Sequence, residues 1–361
     1  MKNLEIGTTA LPPFNQNNFD LIRLFAASQV ACLHAGEHLS SDALTTVNQW
    51  LQLFPGVPIF FLISGFLISR SYEQRRSSRE YFRNRALRIS PALWVCAAVS
   101  LVLVWLTNYR IFDQVGLTGF GGWLIAQLSF IQFYNPDFLR GYGVGVLNGS
   151  LWTISVELQF YLVVPALYWV LGRFDPRRHN CLLLSLLLLF AGINWCFFHF
   201  ETTFSETVVK LIGVSFFPWF YMFLLGVCLQ RNFPLVGTML RHRRILLPAS
   251  VIVVILVQLM GWSKTGNGLS VVCFALLALV VLLLAYSAPW LSERLLRRND
   301  ASYGIYIYHM PLANFFRQVE LVGNAGALLA LTGTALLSVC SWRFIEKKAL
   351  AHKAHSLRAV T

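Results

Sequence analysis

"CLLLSLLLLFAGINWCFFHF", residues 181–200, decides the fold class. These twenty residues contain no Lys, Arg, Asp or Glu. About 20 apolar residues are what a helix needs to cross the hydrocarbon core of a bilayer. Two more stretches of the same character follow, "ILLPASVIVVILVQLM" (245–260) and "LSVVCFALLALVVLLLAYSA" (269–288). The whole chain of 361 residues is 56% hydrophobic and only 12% charged. Soluble chains carry about twice that charged fraction. The sequence therefore reads as an all-α polytopic membrane protein.

Candidate spans fall at 19–38, 50–69, 90–107, 150–171, 181–198, 211–229, 245–260, 268–286, 301–317 and 323–343. The net charge of +13 is gathered in short loops, around 70–88, 172–180, 231–244, 288–300 and 343–361. Positive charge in short loops marks the cytoplasmic side, so a nucleic-acid partner is not implied. A further apolar piece, "GGWLIAQLSFIQFY" (121–134), would invert every later basic loop if it crossed. Read as interfacial or re-entrant, it leaves about ten transmembrane helices with both termini in the cytoplasm. The opening segment 1–17 lacks the apolar core of a signal peptide, so the first helix should stay as an anchor. The chain divides into an N-terminal segment (1–17), a membrane domain (18–347) and a basic tail (348–361). The seven cysteines lie in or beside apolar segments and read as reduced packing residues.

Polar residues inside the spans carry the functional signal, because intramembrane ionisable groups face a cavity or a partner. Arg23 and His34 are eleven residues apart, so they differ by only about 20° around a helix and by about 16 Å along it. Both point one way, with Gln29 between them. Glu157 and Gln159 enter the apolar helix of "NGSLWTISVELQFYLVVP" (148–165), with Trp152 on its first turn and Ser150 placed as an N-cap. A buried carboxylate must be paired, neutral or functional. Arg85 and Arg88 share a helical face at the cytoplasmic edge, and guanidinium forks suit phosphate. Ser64 and Gly65 form a small pair that suits close helix packing. Tyr303 and His309 recur at helical spacing in "ASYGIYIYHMP" (301–311) and can line a cavity with His34. "HAGEH" (34–38) formally matches a zinc-hydrolase pattern but lacks a third ligand, so no metal site is expected.

Together these residues resemble the acyltransferase-3 family of integral-membrane O-acyltransferases. The resemblance rests on "NNFDLIRLFAASQVACLH" (17–34), "FFLISGFLIS" (60–69), "RNRALRISPALW" (83–94), "NGSLWTISVELQFYLVVP", "FLLGVCL" (223–229), "SYGIYIYHMP" (302–311) and "RFIEKKAL" (343–350), in the family's order. It covers roughly residues 17 to 350, and reads as the standalone form without a periplasmic esterase-like domain. Leu158 stands where many members carry a second acid.

The resemblance implies transfer of an acyl group, commonly acetyl from acetyl-CoA, to a hydroxyl of a surface sugar or lipid-linked glycan at the inner membrane. Acetyl-CoA is then a substrate, and no cofactor is permanently bound. His34 fits a general base, with Glu157 orienting its ring as the acid does in a hydrolytic triad. Arg23, Arg85 and Arg88 would hold the CoA phosphates. Gln29, Ser64, Trp152, Gln159, Tyr303 and His309 would line the cavity. Two competing readings are a secondary transporter coupled through His, Glu and Arg, and a zinc-dependent membrane hydrolase using "HAGEH". No inverted repeat supports the first.

Overall fold

The computed structural model describes residues 13–74, 77–111 and 115–353, and those residues form helices and turns with no strand. Most of the N-terminal segment 1–17 and of the tail 348–361 lies outside them. The chain runs through α1 (Phe19–His38), α2 (Asp42–Leu51), α3 (Gly56–Glu73), α4 (Ser78–Leu106) and α5 (Leu117–Leu128). It continues through α6 (Trp152–Leu171), α7 (His179–Phe200), α8 (Glu206–Gly213), α9 (Phe220–Arg231), α10 (Phe233–Arg241) and α11 (Arg243–Leu259). Last come α12 (Val271–Ser287), α13 (Trp290–Leu296), α14 (Ser302–Gln318), α15 (Gly323–Ser341), a π turn (Trp342–Glu346) and α16 (Lys347–Ala351).

Among the described residues, four helical stretches are long and apolar enough to cross a membrane alone, and bent pairs raise the number to seven. The outward faces confirm the solvent they want. Leu184, Leu188, Leu189 and Trp195 of α7 are all more than half exposed, a burden that water would not tolerate on one helix. This is a polytopic helical membrane protein.

Two expected spans are not continuous. The stretch 50–69 becomes helical as α3 only from Gly56, behind a 43° bend from α2. The stretch 211–229 is split between α8 and α9. Pro218 lies in that gap, and its missing N–H and ring are incompatible with a helix interior. Helix α5 has 12 residues, about 18 Å at 1.5 Å per residue against a core of about 30 Å.

Close packing is concentrated where α3 crosses α9. A Cβ added to Gly65 would fall on the Phe223 carbonyl oxygen, and one on Gly226 would fall on that of Leu62. Only glycine allows the two backbones to touch, as the small pair Ser64–Gly65 implied. Phe160, Phe220 and Phe223 pack around the crossing. Helix α12 is buried along most of its length. Asn18 joins it to α1, donating to the Leu284 and Ala288 carbonyls and accepting from the Ser292 N–H. Helix α14 packs against both α1 and α15.

Candidate functional site

Two helices and the segment after α16 bring cations to one cavity of about 290 Å³ at the end of the bundle where α1 and α14 begin. Arg23 comes from α1, Arg85 and Arg88 from α4, and Lys353 from beyond α16. Ser64, Glu157 and Tyr303 also line it, so five of the residues singled out from sequence meet here with Arg88 as a sixth. Four cations face two carboxylates, Glu157 and Asp300, in this lining. The surplus suits an anionic ligand.

The arginines are not equivalent. Arg88 Nη2 donates to Asp300 Oδ2 at 2.5 Å, and Arg23 Nη2 lies 3.7 Å from the same oxygen. Arg23 also donates to Asp20 on its own helix. Asp300 is buried and its other oxygen accepts from the Ser302 N–H and hydroxyl. Burial pushes the Asp300 carboxyl up, but Arg88 and Arg23 outweigh this and hold it below the usual carboxylate range. Arg88 therefore serves first as a structural partner, which corrects the expectation of a free phosphate fork. Arg85 carries no ion pair among the described residues, and its guanidinium sits 5.6 Å from the Tyr161 ring centroid. Its Nε is buried and without a partner, as is that of Arg23. Buried donors without partners are rare in folded chains and point to a missing acceptor.

Glu157 accepts from the Ser64 hydroxyl at 2.9 Å and from the Tyr161 hydroxyl at 2.5 Å. No hydrogen bond joins it to His34 among the described residues; the sequence reading had given it the task of orienting that ring. His309 occupies that place instead. His34 Nδ1 lies 2.8 Å from His309 Nε2, and the rings stack at 5.1 Å. His309 Nδ1 lies 3.2 Å from the Ile305 carbonyl oxygen. A carbonyl can only accept, so with both rings neutral the His309 proton sits on Nδ1 and its Nε2 accepts. His34 Nδ1 then donates, which leaves His34 Nε2 with its lone pair free. His309 is buried, while His34 keeps part of its surface accessible.

The imidazole pair stands beyond the inner end of the cavity, outside its lining. Tyr306 separates the two: its ring lines the cavity and faces His309 at 5.9 Å. The Tyr306 hydroxyl is held by Thr153 at 2.6 Å and by the Ser150 carbonyl at 3.3 Å. His38 stacks on His34 at 5.4 Å, yet no group of three or more His, Cys, Asp or Glu side chains among the described residues could hold a metal.

With this geometry in place, the family can be assigned. Residues 16–343 match the model of the acyltransferase-3 family, an acyltransferase domain. The chain belongs to the acyltransferase-3 family. It is 33% identical to nodulation protein 10 of Rhizobium leguminosarum bv. viciae, over 93% of this chain and 94% of that one. It is 26% identical to an O-acetyl transferase of Shigella phage Sf6, over 94% and 98%. It is also 27% identical to O-acetyltransferase OatA of Staphylococcus aureus, over 82% of this chain and 53% of that one. No solved structure matches it significantly. Membership makes the chain an acyltransferase and sets aside the transporter.

Of the remaining expected cavity residues of this acyltransferase, Gln29 and Gln159 serve the scaffold. Gln29 is buried, and its Oε1 accepts the Gly56 N–H at 2.9 Å, capping α3 at the bend. Gln159 clamps the α8–α9 break, donating to the Val214 carbonyl and accepting from the Phe216 N–H. Neither lines the inner cavity. Trp152 lies against Trp219 and lines a different cavity. Ser150 is not an N-cap: it sits in a 3-10 turn (Gly149–Leu151) and bonds Asn148 Oδ1. Asp300 was missed altogether. Its signal was present, a lone acid directly before "ASYGIYIYHMP" at the end of a basic run.

Proposed function

We propose that this acyltransferase moves an acetyl group from acetyl-CoA, bound from the cytoplasm, to a hydroxyl of a cell-surface sugar or lipid-linked glycan. The observation that carries the reading is the cation-rich inner cavity, where among the described residues Arg85 has no ion pair and two arginine Nε atoms have no acceptor. CoA brings phosphates that charge-assisted guanidinium bonds would satisfy. The two O-acetyl transferase relatives support acetyl as the group moved and oxygen as its destination.

His34 Nε2 would take the proton of the acceptor hydroxyl as its oxygen attacks the thioester carbonyl. The carbon–sulfur bond then breaks, and the CoA thiolate recovers the proton from His34. His309 would fix the tautomer that makes this possible. Glu157 would hold Ser64 and Tyr161 at the cavity wall.

The proposed topology is ten crossings in the cytoplasmic membrane, with both ends on the cytoplasmic side. Helices α1, α3, α4, α6, α7, α9, α11, α12, α14 and α15 overlap the ten expected spans, and the side on which the basic loops fall argues against α5 as an eleventh.

Reconstituted protein given labelled acetyl-CoA and envelope glycans should place label on sugar as a base-labile ester. Label that resists mild base, or none on sugar, overturns the reading.

A further inference from the structure

The face of the bundle opposite the arginines holds a second cavity, of about 660 Å³. Its walls come from α5, the 129–149 loops, the start of α6, α8 and the start of α9. The volume is within the range of about 300–1,000 Å³ typical of ligand sites. The chemistry of its lining is unlike that of the inner cavity. Trp123, Trp152 and Trp219 contribute aromatic surface, and Trp152 and Trp219 pack at 5.3 Å as a continuous wall. The Trp219 N–H is used on the Gly213 carbonyl, whereas the Trp152 N–H has no partner among the described residues.

Amides of Gln127, Gln132 and Asn135 form the polar edge. Their NH2 groups donate to loop carbonyls and Gln132 Oε1 accepts from Ser155, so the Gln127 and Asn135 oxygens are the acceptors left without a donor among the described residues. No carboxylate among the described residues lines this space. Its two cations are already engaged, Lys210 by Glu206 and Arg140 by Asp137 at 4.0 Å. A neutral ring with apolar faces and hydroxyl edges fits this lining, because aromatic walls take the faces and the free amide oxygens accept from hydroxyls.

Position adds a second argument. The floor is Asn148 and Gly149, and the Asn148 side chain donates to the Ile307 carbonyl of α14 at 2.9 Å. Trp152 lines the outer cavity while its neighbour Thr153 lines the inner one. The two spaces therefore approach from opposite faces to within one residue, at the level of Tyr306. Asn314 braces the same wall, donating to the Val146 and Leu147 carbonyls.

We propose that the outer cavity is the acceptor site, and that it seats a neutral pyranose unit against Trp152 with the reacting hydroxyl turned toward α14. This rests on the acetyl-transfer reading above and adds where, and in what chemistry, the acceptor binds. The test uses full-length protein in liposomes, labelled acetyl-CoA and neutral glycans extracted from the producing cell's envelope. Trp152→Ala should raise the glycan KM about tenfold to thirtyfold, the loss expected of a well-packed aromatic anchor. Its acetyl-CoA affinity, read by calorimetry, should stay within twofold of wild type. Trp152→Phe should recover part of the glycan KM. An unchanged glycan KM in Trp152→Ala overturns the site even if transfer itself is normal. So does a parallel loss of acetyl-CoA affinity, which would mark a general packing defect. Wild type that labels lipid hydroxyls and no sugar overturns the parent reading instead.

Discussion

The inner cavity is lined by charge and the outer one by rings and amides, although the two meet at consecutive residues, Trp152 and Thr153. Around the inner space, cations from α1, α4 and the end of the chain outnumber acids, and one buried acid, Asp300, ties two arginines together. The outer space has aromatic walls, and its two cations each stand beside an exposed acid outside the lining. A single void with mixed lining would admit either substrate from either side. On the proposed reading, separate linings would sort an anionic donor from a neutral acceptor before any chemistry begins.

The sharpest attack on this division is at the place where the two sides meet. His34→Ala should fold normally, keep acetyl-CoA affinity, and lose about 10²–10⁴ in transfer rate, the usual cost of a missing general base. Single-turnover kinetics would show it, and near-normal rates would remove the base from His34. His309→Gln can still accept from His34 Nδ1, so it should retain more activity than His309→Ala.

Next in size is the buried ion pair. Asp300→Ala leaves Arg88 without its partner, and breaking a buried pair costs about 3–5 kcal/mol. Thermal unfolding in detergent should show a large drop, with a smaller one for Trp152→Ala on the outer face. Equal, small drops would mean that Arg88 is satisfied elsewhere. Because the Asp300 carboxyl is held below the usual carboxylate range, its stabilisation is present above that range and is lost only as pH falls through its depressed folded value. Stability carried by this pair should be flat from about pH 5 to 8.

Arg85 comes third. It should lose about 1.5–3 kcal/mol of CoA binding on replacement by alanine, which is about tenfold to a hundredfold in affinity. Lysine keeps the charge without the fork and should recover only part of this. A larger loss of CoA affinity in Arg88→Lys than in Arg85→Ala would reverse the roles assigned here. The smallest effect belongs to the scaffold: Gln29→Ala orphans the Gly56 N–H and should cost about 1–3 kcal/mol of stability, with CoA affinity intact.

Apolar length and basic loops made the helices legible, because span length and loop charge are local properties. The arginine stripe was legible for the same reason: Arg85 and Arg88 lie three residues apart, and the bilayer edge fixes their level. What stayed hidden were partners. His309 is 275 residues from His34 in sequence, and periodicity shows which way a side chain faces but not which helix stands opposite. Glu157 bonds Ser64 and Tyr161, two neighbours that its place on the helix does not reveal. Gln29 and Gln159 looked like cavity residues because intramembrane amides signal function, yet each satisfies backbone freed at a break in a helix. Pro218 marked one of those breaks, while the bend before Gly56 had no comparably explicit signal.

The crossing of α3 and α9 has a mechanical consequence. Where two backbones touch through Gly65 and Gly226, no side chain remains between them to change rotamer and take up a displacement. Helices joined in this way translate as one body. Ser64, one residue from the joint, is therefore a fixed point on the inner wall, as rigid as a bearing. Any widening of the inner cavity is then left to its other walls, where Arg85, Arg88 and Tyr303 are carried on α4 and α14.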